Sequence, residues 1–212
     1  MRSLSADFAR LRINDVRGAL AAHQPDTAPS ARNGRSAAVA MILFDGEEGL
    51  ETLFIQRARH PQDPWSGQMA FPGGRQDPED PTLEMAAERE TLEEVGIRLD
   101  PTWRLGRLDD LEGGRLTQHR LSVSAFVYHH SDPPPVTPNY EVAGNVWVPL
   151  RFIADPANIV PYVFAQDPLA RQFPSFTYQG YTVWGLTYRI TSNFLRLFGR
   201  ELPSEPLVTN VE

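Results

Sequence analysis

The chain has 212 residues, of which 41% are hydrophobic and 22% charged, and its formal net charge is −7. This composition is ordinary for a globular protein that builds a core of its own. The negative charge argues against nucleic-acid binding as the main function, because neutralising phosphates needs a basic surface. Cysteine and lysine are both missing from the sequence. Their absence excludes disulfides, zinc–thiolate sites, thiol nucleophiles, Schiff-base chemistry and a Walker A loop.

The longest apolar run, at 37–44, has eight residues, whereas a membrane-spanning helix needs about 20. The first residues carry Arg2 and Asp7 and lack the apolar block of a signal peptide. These patterns favour the cytoplasm and predict no membrane partner.

In the first part of the chain, apolar residues spaced three to four apart predict a helix at 4–22. Residues 37–44 and 50–57 predict a hairpin, because two apolar stretches flank a turn. A short strand is predicted at 68–71. The clearest helix of the chain is predicted at 82–95.

The second part of the chain alternates strand and turn signals. Strands are predicted at four places: 103–109, 121–129, 146–150, and a hairpin at 176–178 and 181–184. A helix follows at 186–198, and the proline-rich stretch 131–139 is expected to be a surface loop near the functional site. Hairpins mixed with isolated helices predict an α+β fold, with helices packed on a mixed sheet.

We expect a single domain over 1–212, with a core at about 36–150. The helix at 4–22 and the hairpin and helix at 176–199 are expected to extend that core.

The helix at 82–95 has signals at both ends. Asp80 is a favourable N-cap, and Pro81 suits the first helical position. Gly96 suits the left-handed residue that ends many helices.

At about 100° per residue, the side chains of this helix divide into two faces. Three glutamates lie within one sector of about 100°: Glu90, Glu93 and Glu94. Three apolar residues lie opposite them and are expected to be buried: Met85, Leu92 and Val95. Ala86 and Ala87 lie near the carboxylate side, where their small size allows a neighbouring backbone to approach closely.

Clustered carboxylates repel one another and raise one another's pKa unless a cation is present. Ligands that are all oxygen favour Mg²⁺ or Mn²⁺ over zinc. The simpler interpretation of this spacing is a solvated acidic face. The Gly-Gly pair before the helix and Arg89, which can bind a carboxylate in a bidentate pair, favour a metal site.

Residues 74–97 resemble the Nudix box, whose consensus is Gly, five residues, Glu, seven residues, and then Arg-Glu-U-x-Glu-Glu-x-Gly-U, with U a bulky apolar residue. The run from Arg89 to Ile97 matches the second half, except that Thr91 occupies an apolar position. In the first half Asp80 replaces the glutamate, and eight residues rather than seven separate it from Arg89. This departure affects the loop and cap more than the half that carries the metal ligands.

The resemblance implies a Nudix-like α/β/α sandwich and hydrolysis of a diphosphate linked to another moiety. It implies that Glu90, Glu93 and Glu94 hold Mg²⁺ or Mn²⁺, with Glu93 and Glu94 also serving catalysis. It further implies that Arg89 orients Glu90 or Glu93 without touching the substrate.

Other site residues are predicted from their places around the box. The resemblance implies a further carboxylate on a later loop that acts as general base or metal ligand. Glu141, after the proline-rich loop, is the candidate, and a surface glutamate is the alternative. Arg57, Arg75 and Gly74 are the candidates for binding the substrate's phosphates, and ordinary surface arginines are the alternative for the first two. The expected partner is a small diphosphate, not nucleic acid, and a homodimer is left open.

Residues 67–74, Gly-Gln-Met-Ala-Phe-Pro-Gly-Gly, resemble the end of a signature found in Nudix hydrolases that act on coenzyme A. The start of that signature is similar to residues 53–58. The signature has an arginine four residues before its glycine, where this chain has Asp63.

Alternative functions remain open at this stage. The substrate is alternatively a nucleotide sugar, a dinucleotide or a nucleoside triphosphate. A non-catalytic Nudix-like ligand sensor is a further alternative, although it predicts degenerate carboxylates and all three are intact. Isopentenyl-diphosphate isomerase shares the fold but depends on a catalytic cysteine, so it is excluded.

Overall fold

The computed structural model describes residues 11–27, 36–61, 63, 65–113, 121–165, 167 and 169–203. Residues 4–10 of the predicted N-terminal helix lie outside this set. Within it there are four α-helices: α1 (Ile13–Ala22), α2 (Leu83–Val95), α3 (Leu150–Ala154) and α4 (Gly185–Arg196).

The described residues also form eleven β-strands. These are β1 (Ser36–Gly46), β2 (Gly49–Arg57), β3 (Met69–Ala70), β4 (Gly73–Arg75), β5 (Arg104–Arg107), β6 (Leu111–Gly113), β7 (Leu121–His130), β8 (Val142–Pro149), β9 (Val160–Val163), β10 (Gln172–Tyr178) and β11 (Tyr181–Trp184). The predicted β1–β2 and β10–β11 hairpins are confirmed. Four short elements were not predicted: β4, β6, β9 and α3. Segments this short do not show a recognisable spacing of apolar residues.

Eight strands form one mixed sheet. Its main path runs β3-β2-β1-β7-β5, while β4 pairs with β1, β6 with β7 and β8 with β2. The β1–β7 pair is parallel, and the other pairs are antiparallel. A separate three-stranded sheet has the order β11-β10-β9. The predicted α+β class with a mixed sheet is therefore confirmed.

Each face of the large sheet is covered by its own apolar cluster. On one face α2 packs through Ala86, Ala87 and Val95 against residues of β1, β2 and β7. On the other face lie residues of α1, α3, α4 and the three-stranded sheet. The sheet is thus enclosed between helical layers, as expected of an α/β/α sandwich.

Phe176 is the most central side chain by which the three-stranded sheet joins the core. Phe176 of β10 is fully buried. Its ring lies 5.9 Å from that of Phe54 on β2 and 6.3 Å from that of Tyr188 on α4. Phe176 therefore connects the large sheet, the small sheet and the last helix.

None of the helices in the described ranges is long and apolar enough to cross a membrane.

Replacing Phe176 with alanine should lower the free energy of unfolding by about 3–5 kcal/mol, because it removes a buried ring at the junction of three elements. Leu169→Ala is the control, because its side chain is 71% exposed and should change stability by no more than about 0.5 kcal/mol. Urea denaturation followed by far-UV circular dichroism measures both. Equal effects of the two variants would contradict this packing.

Candidate active site

The first turn of α2 differs from the prediction. Thr82, not Asp80, is the N-cap, and its hydroxyl oxygen accepts a hydrogen bond from Met85 N at 3.2 Å. The predicted cap at Asp80 is wrong, because that carboxylate instead binds Arg89. The predicted end is confirmed: Gly96 follows the last residue with a φ of 71°.

The buried face of α2 also differs from the prediction. Met85 and Leu92 are 46% and 36% exposed, although Val95 is buried as expected. The face that packs on the sheet is lined by smaller or polar side chains: Ala86, Ala87, Thr91, Glu94 and Val95. The two alanines permit the close approach expected of them, so the carboxylate side of the helix is the side that meets the sheet.

Two glycines of β4 make this close approach possible. Gly73 has a φ of +144°, and a Cβ there would lie 2.3 Å from the backbone oxygen of Ala38. A Cβ on Gly74 would lie 2.4 Å from the carboxyl carbon of Glu90. A side chain at position 73 would therefore collide with the backbone of β1, and one at position 74 would displace the carboxylate of Glu90.

Glu94 is the buried carboxylate of the site. Its residue is 3% exposed, and its Oε2 accepts a hydrogen bond from Gly73 N at 2.8 Å. Arg57 Nη1 lies 4.0 Å from Oε1. The pKa of Glu94 is raised to about 7, mainly by burial. The charges of Glu90 and Glu141 contribute to this rise, while the Gly73 hydrogen bond and Arg57 oppose it.

Arg89 organises the carboxylates on the neighbouring side of α2. Its Nε and Nη2 donate to the two oxygens of Asp80 at 3.1 and 2.9 Å. Its Nη1 donates to Glu90 and Glu93, both at 3.1 Å, and its Nη2 also donates to the Arg75 carbonyl at 3.2 Å. Arg89 thus holds both glutamates that it was expected to orient.

Glu90 lies between this arginine and β4. Burial raises the pKa of Glu90, and the charges of Glu93 and Glu141 raise it further, while Arg89 opposes the shift. The repulsion between the carboxylates is therefore only partly offset by the protein's own cations.

The loop before β8 brings Glu141 to the same place. Asn139 N donates to the Glu94 carbonyl at 2.9 Å, and Ala58 N donates to the Glu141 carbonyl at 2.7 Å. The loop is therefore bound to α2 on one side and to the residue after β2 on the other. Tyr140, which is 86% exposed, hydrogen-bonds to the Glu141 carboxylate, and this bond raises the pKa of Tyr140.

The predicted convergence of Glu90, Glu93 and Glu94 is not formed by the side chains as they lie. No group of three carboxylates or histidines within the described ranges is placed to hold a metal ion. The reason is visible in the contacts: Arg89 binds Glu90 and Glu93, whereas Gly73 binds Glu94.

The predicted phosphate-binding residues have different surroundings. Arg75 is exposed at the end of β4, directly after Gly74. Arg57 is not free, because its Nε and Nη2 both lie 2.9 Å from Oδ2 of Asp63. Asp63 was not predicted to belong to the site. The only signal in the sequence was its place six residues after Arg57, where the coenzyme A signature differs.

Replacing Asp80 with asparagine should lower the free energy of unfolding by about 1–3 kcal/mol at neutral pH, because it removes the negative charge and one acceptor oxygen of the bidentate pair with Arg89. The bond to Arg89 lowers the pKa of Asp80. The stabilisation should therefore be complete above about pH 4, the unfolded value, and be lost as the pH falls through the lower folded pKa. Denaturant titrations at several pH values measure it.

Asp77→Asn is the matched control for this experiment. Asp77 lies 3.5 Å from the same arginine, but its side chain is 59% exposed, so the expected loss is below about 1 kcal/mol. A difference between wild type and the Asp80 variant that does not change with pH would contradict the assigned interaction.

Comparisons with known proteins identify the family and the fold. Residues 34–167 match the NUDIX domain. A curated relative from Yersinia pestis (strain Pestoides F), named as an uncharacterised Nudix hydrolase NudL, is 31% identical over 165 residues, which are 76% of this chain and 78% of the relative. A relative of the same name from Yersinia pseudotuberculosis (serotype O:1b) matches equally well.

A solved MutT/nudix family protein from Enterococcus faecalis superposes with a TM-score of 0.56 and 13% identity, covering 92% of this chain and 73% of that protein. This likeness concerns the fold alone. The family match and the identity to the Yersinia relatives concern the sequence as well. The chain therefore belongs to the Nudix family and is a hydrolase of diphosphate bonds.

Proposed function

We propose that the substrate is a nucleoside diphosphate linked to another moiety, and that Glu90, Glu93, Glu94 and Glu141 form the catalytic centre. The observation that carries this proposal is the concentration of carboxylates around β4. Glu90 and Glu94 carry raised pKa values, and Glu141 contributes to both shifts. Titratable groups whose pKa values are shifted by burial and by neighbouring charges are typical of active sites.

The candidate ligand atoms are of the type that binds a divalent metal. All candidate ligands are carboxylate oxygens, which Mg²⁺ and Mn²⁺ prefer. The mutual repulsion of Glu90, Glu94 and Glu141 is the property that a bound cation offsets. Glu90, Glu93 and Glu94 would hold the ion, once Glu90 and Glu93 turn an oxygen away from Arg89. When bound, the ion supplies neutralisation of phosphate charge and a water of lowered pKa.

The protein's own residues would then position and deprotonate the attacking water. Glu141 is the proposed general base, because it lies within electrostatic range of both Glu90 and Glu94. The water oxygen bonds to one phosphorus, its proton passes to the carboxylate, and the bond from that phosphorus to the bridging oxygen breaks. Arg89 keeps Glu90 and Glu93 oriented and needs no contact with the substrate.

Phosphate binding is assigned first to Arg75. It is exposed beside Gly74, whose missing side chain leaves room for the carboxylate of Glu90. Arg57 is the second candidate, because its guanidinium is already bound to Asp63.

Coenzyme A is the first substrate to test. The support is the resemblance of residues 67–74 to the coenzyme A signature, in which this chain departs at Asp63. Dinucleotides and nucleotide sugars, which the sequence left open as alternative substrates, belong in the same test.

The test is a panel of coenzyme A, ADP-ribose, diadenosine polyphosphates, nucleotide sugars and nucleoside triphosphates, each with Mg²⁺ or Mn²⁺. Mass spectrometry identifies the products. Cleavage between the two phosphorus atoms of a linked nucleoside diphosphate supports the proposal. Hydrolysis of triphosphates alone, or of nothing in the panel, would overturn it.

Glu94→Gln and Glu90→Gln should each reduce kcat by at least about 10²- to 10⁴-fold, because each removes a charge from the centre. The fold should persist, because glutamine keeps the size of the side chain. Steady-state kinetics in Mg²⁺, with circular dichroism to check folding, measures this.

Glu88→Gln is the matched control on the same helix. Glu88 accepts a hydrogen bond from the Tyr128 hydroxyl at 3.3 Å and has no assigned part in the reaction. It should keep near-native kcat. A Glu94 variant as active as the Glu88 variant would refute the assignment.

A further inference from the structure

Arg57 links a loop carboxylate to the buried carboxylate of the site. It is the last residue of β2. Its Nε and Nη2 each lie 2.9 Å from Oδ2 of Asp63, while its Nη1 lies 4.0 Å from Oε1 of Glu94. The guanidinium therefore occupies the space between the two acidic residues, with Asp63 as its closer partner.

Asp63 is itself fixed by the loop that connects β2 to β3. Its Oδ1 accepts a hydrogen bond from Trp65 N at 3.0 Å, so both carboxylate oxygens are engaged. Its backbone N donates to the His60 carbonyl, and its carbonyl accepts from Ser66 N, both at 3.1 Å. The side chain is only 16% exposed. A carboxylate held in this way gives the arginine a defined position.

The orientation of Glu94 depends on two neighbours. Gly73 N binds Oε2, and Arg57 faces Oε1. The first contact is made by backbone and does not change with side-chain rotation. The contact with Arg57 depends on the rotamer of the long arginine side chain. That side chain is 35% exposed, so it can adopt other rotamers unless a partner fixes one of them.

We infer that Asp63 is a positioning residue that holds the Arg57 guanidinium against Glu94, an inference that rests on the proposed function of Glu94. Asp63 acts through Arg57 and does not contact the substrate, because its negative charge repels a diphosphate. The consequence is a loss of kcat with little change in KM when Asp63 loses its charge.

Steady-state kinetics of a double-mutant cycle tests the inference, with Asp63→Asn, Arg57→Ala and the double variant. Asparagine keeps an oxygen for Trp65 N and removes the charge that binds Arg57. Each single variant should lose about 10- to 100-fold in kcat, since small displacements of a catalytic group have effects of this size. In Asp63→Asn, KM should change less than about threefold, because Asp63 does not contact the substrate. The double variant should be no worse than Arg57→Ala alone, because Asp63 then has nothing to position.

Asp155→Asn is the matched control. Asp155 lies on the loop after α3, and its Oδ1 accepts a hydrogen bond from Ala157 N at 3.0 Å. Asp63 makes the same kind of bond, to the backbone N two residues later. It should keep native kcat. Additive losses in the double variant, a change confined to KM, or native activity of Asp63→Asn would overturn the inference.

A second readout does not depend on turnover. It is the ¹³C NMR signal of the Glu94 carboxyl group, recorded in metal-free protein at a fixed pH. This signal should shift between wild type and Asp63→Asn. It should not differ between Arg57→Ala and the double variant. An unchanged signal in Asp63→Asn would overturn the inference. A wild-type protein that hydrolyses nothing in the panel would instead defeat the proposed function, and the two failures are therefore distinguishable.

Discussion

The hydrogen bond from Gly73 N to the buried carboxylate of Glu94 is the contact on which the site depends. The bond is 2.8 Å long and fixes α2 to β4. It requires the backbone of β4 to approach α2 without a side chain between them. Only glycine fits position 73, because its φ is +144° and because a Cβ there would lie 2.3 Å from the Ala38 oxygen of β1. The bond also offsets part of the cost of burying a charge there.

This contact explains why α2 packs through small residues. Larger side chains in place of Ala86 and Ala87 would hold the helix away from β1 and open the distance that Glu94 must span. Met85 and Leu92 remain exposed because the helix face opposite the sheet has no partner among the described elements to bury it. Site geometry, rather than maximal burial of apolar surface, therefore selects the rotation of this helix.

The sequence was sufficient where the chemistry is local. Glu90, Glu93 and Glu94 lie on one helix, so their spacing alone predicted a carboxylate side, and Gly96 predicted the helix end. The rotation of α2 was predicted wrongly, because periodicity identifies an apolar side but not which side the sheet accepts. Asp80 was taken for a cap because its place before Pro81 suits that role, yet the arginine nine residues later binds it.

Contacts between distant segments could not be predicted in this way. The Arg57–Asp63 pair depends on how the loop after β2 folds, which no local pattern specifies. Glu141 was predicted to join the site only through the resemblance to Nudix enzymes. The central claim is that the carboxylates around β4 hold a divalent cation. Isothermal titration calorimetry of Mn²⁺ into metal-free wild type and Glu94→Gln tests it most directly. Binding at millimolar or lower concentration to wild type, weakened at least tenfold in the variant, is the predicted result. No binding to wild type, or equal binding to both, would contradict the account.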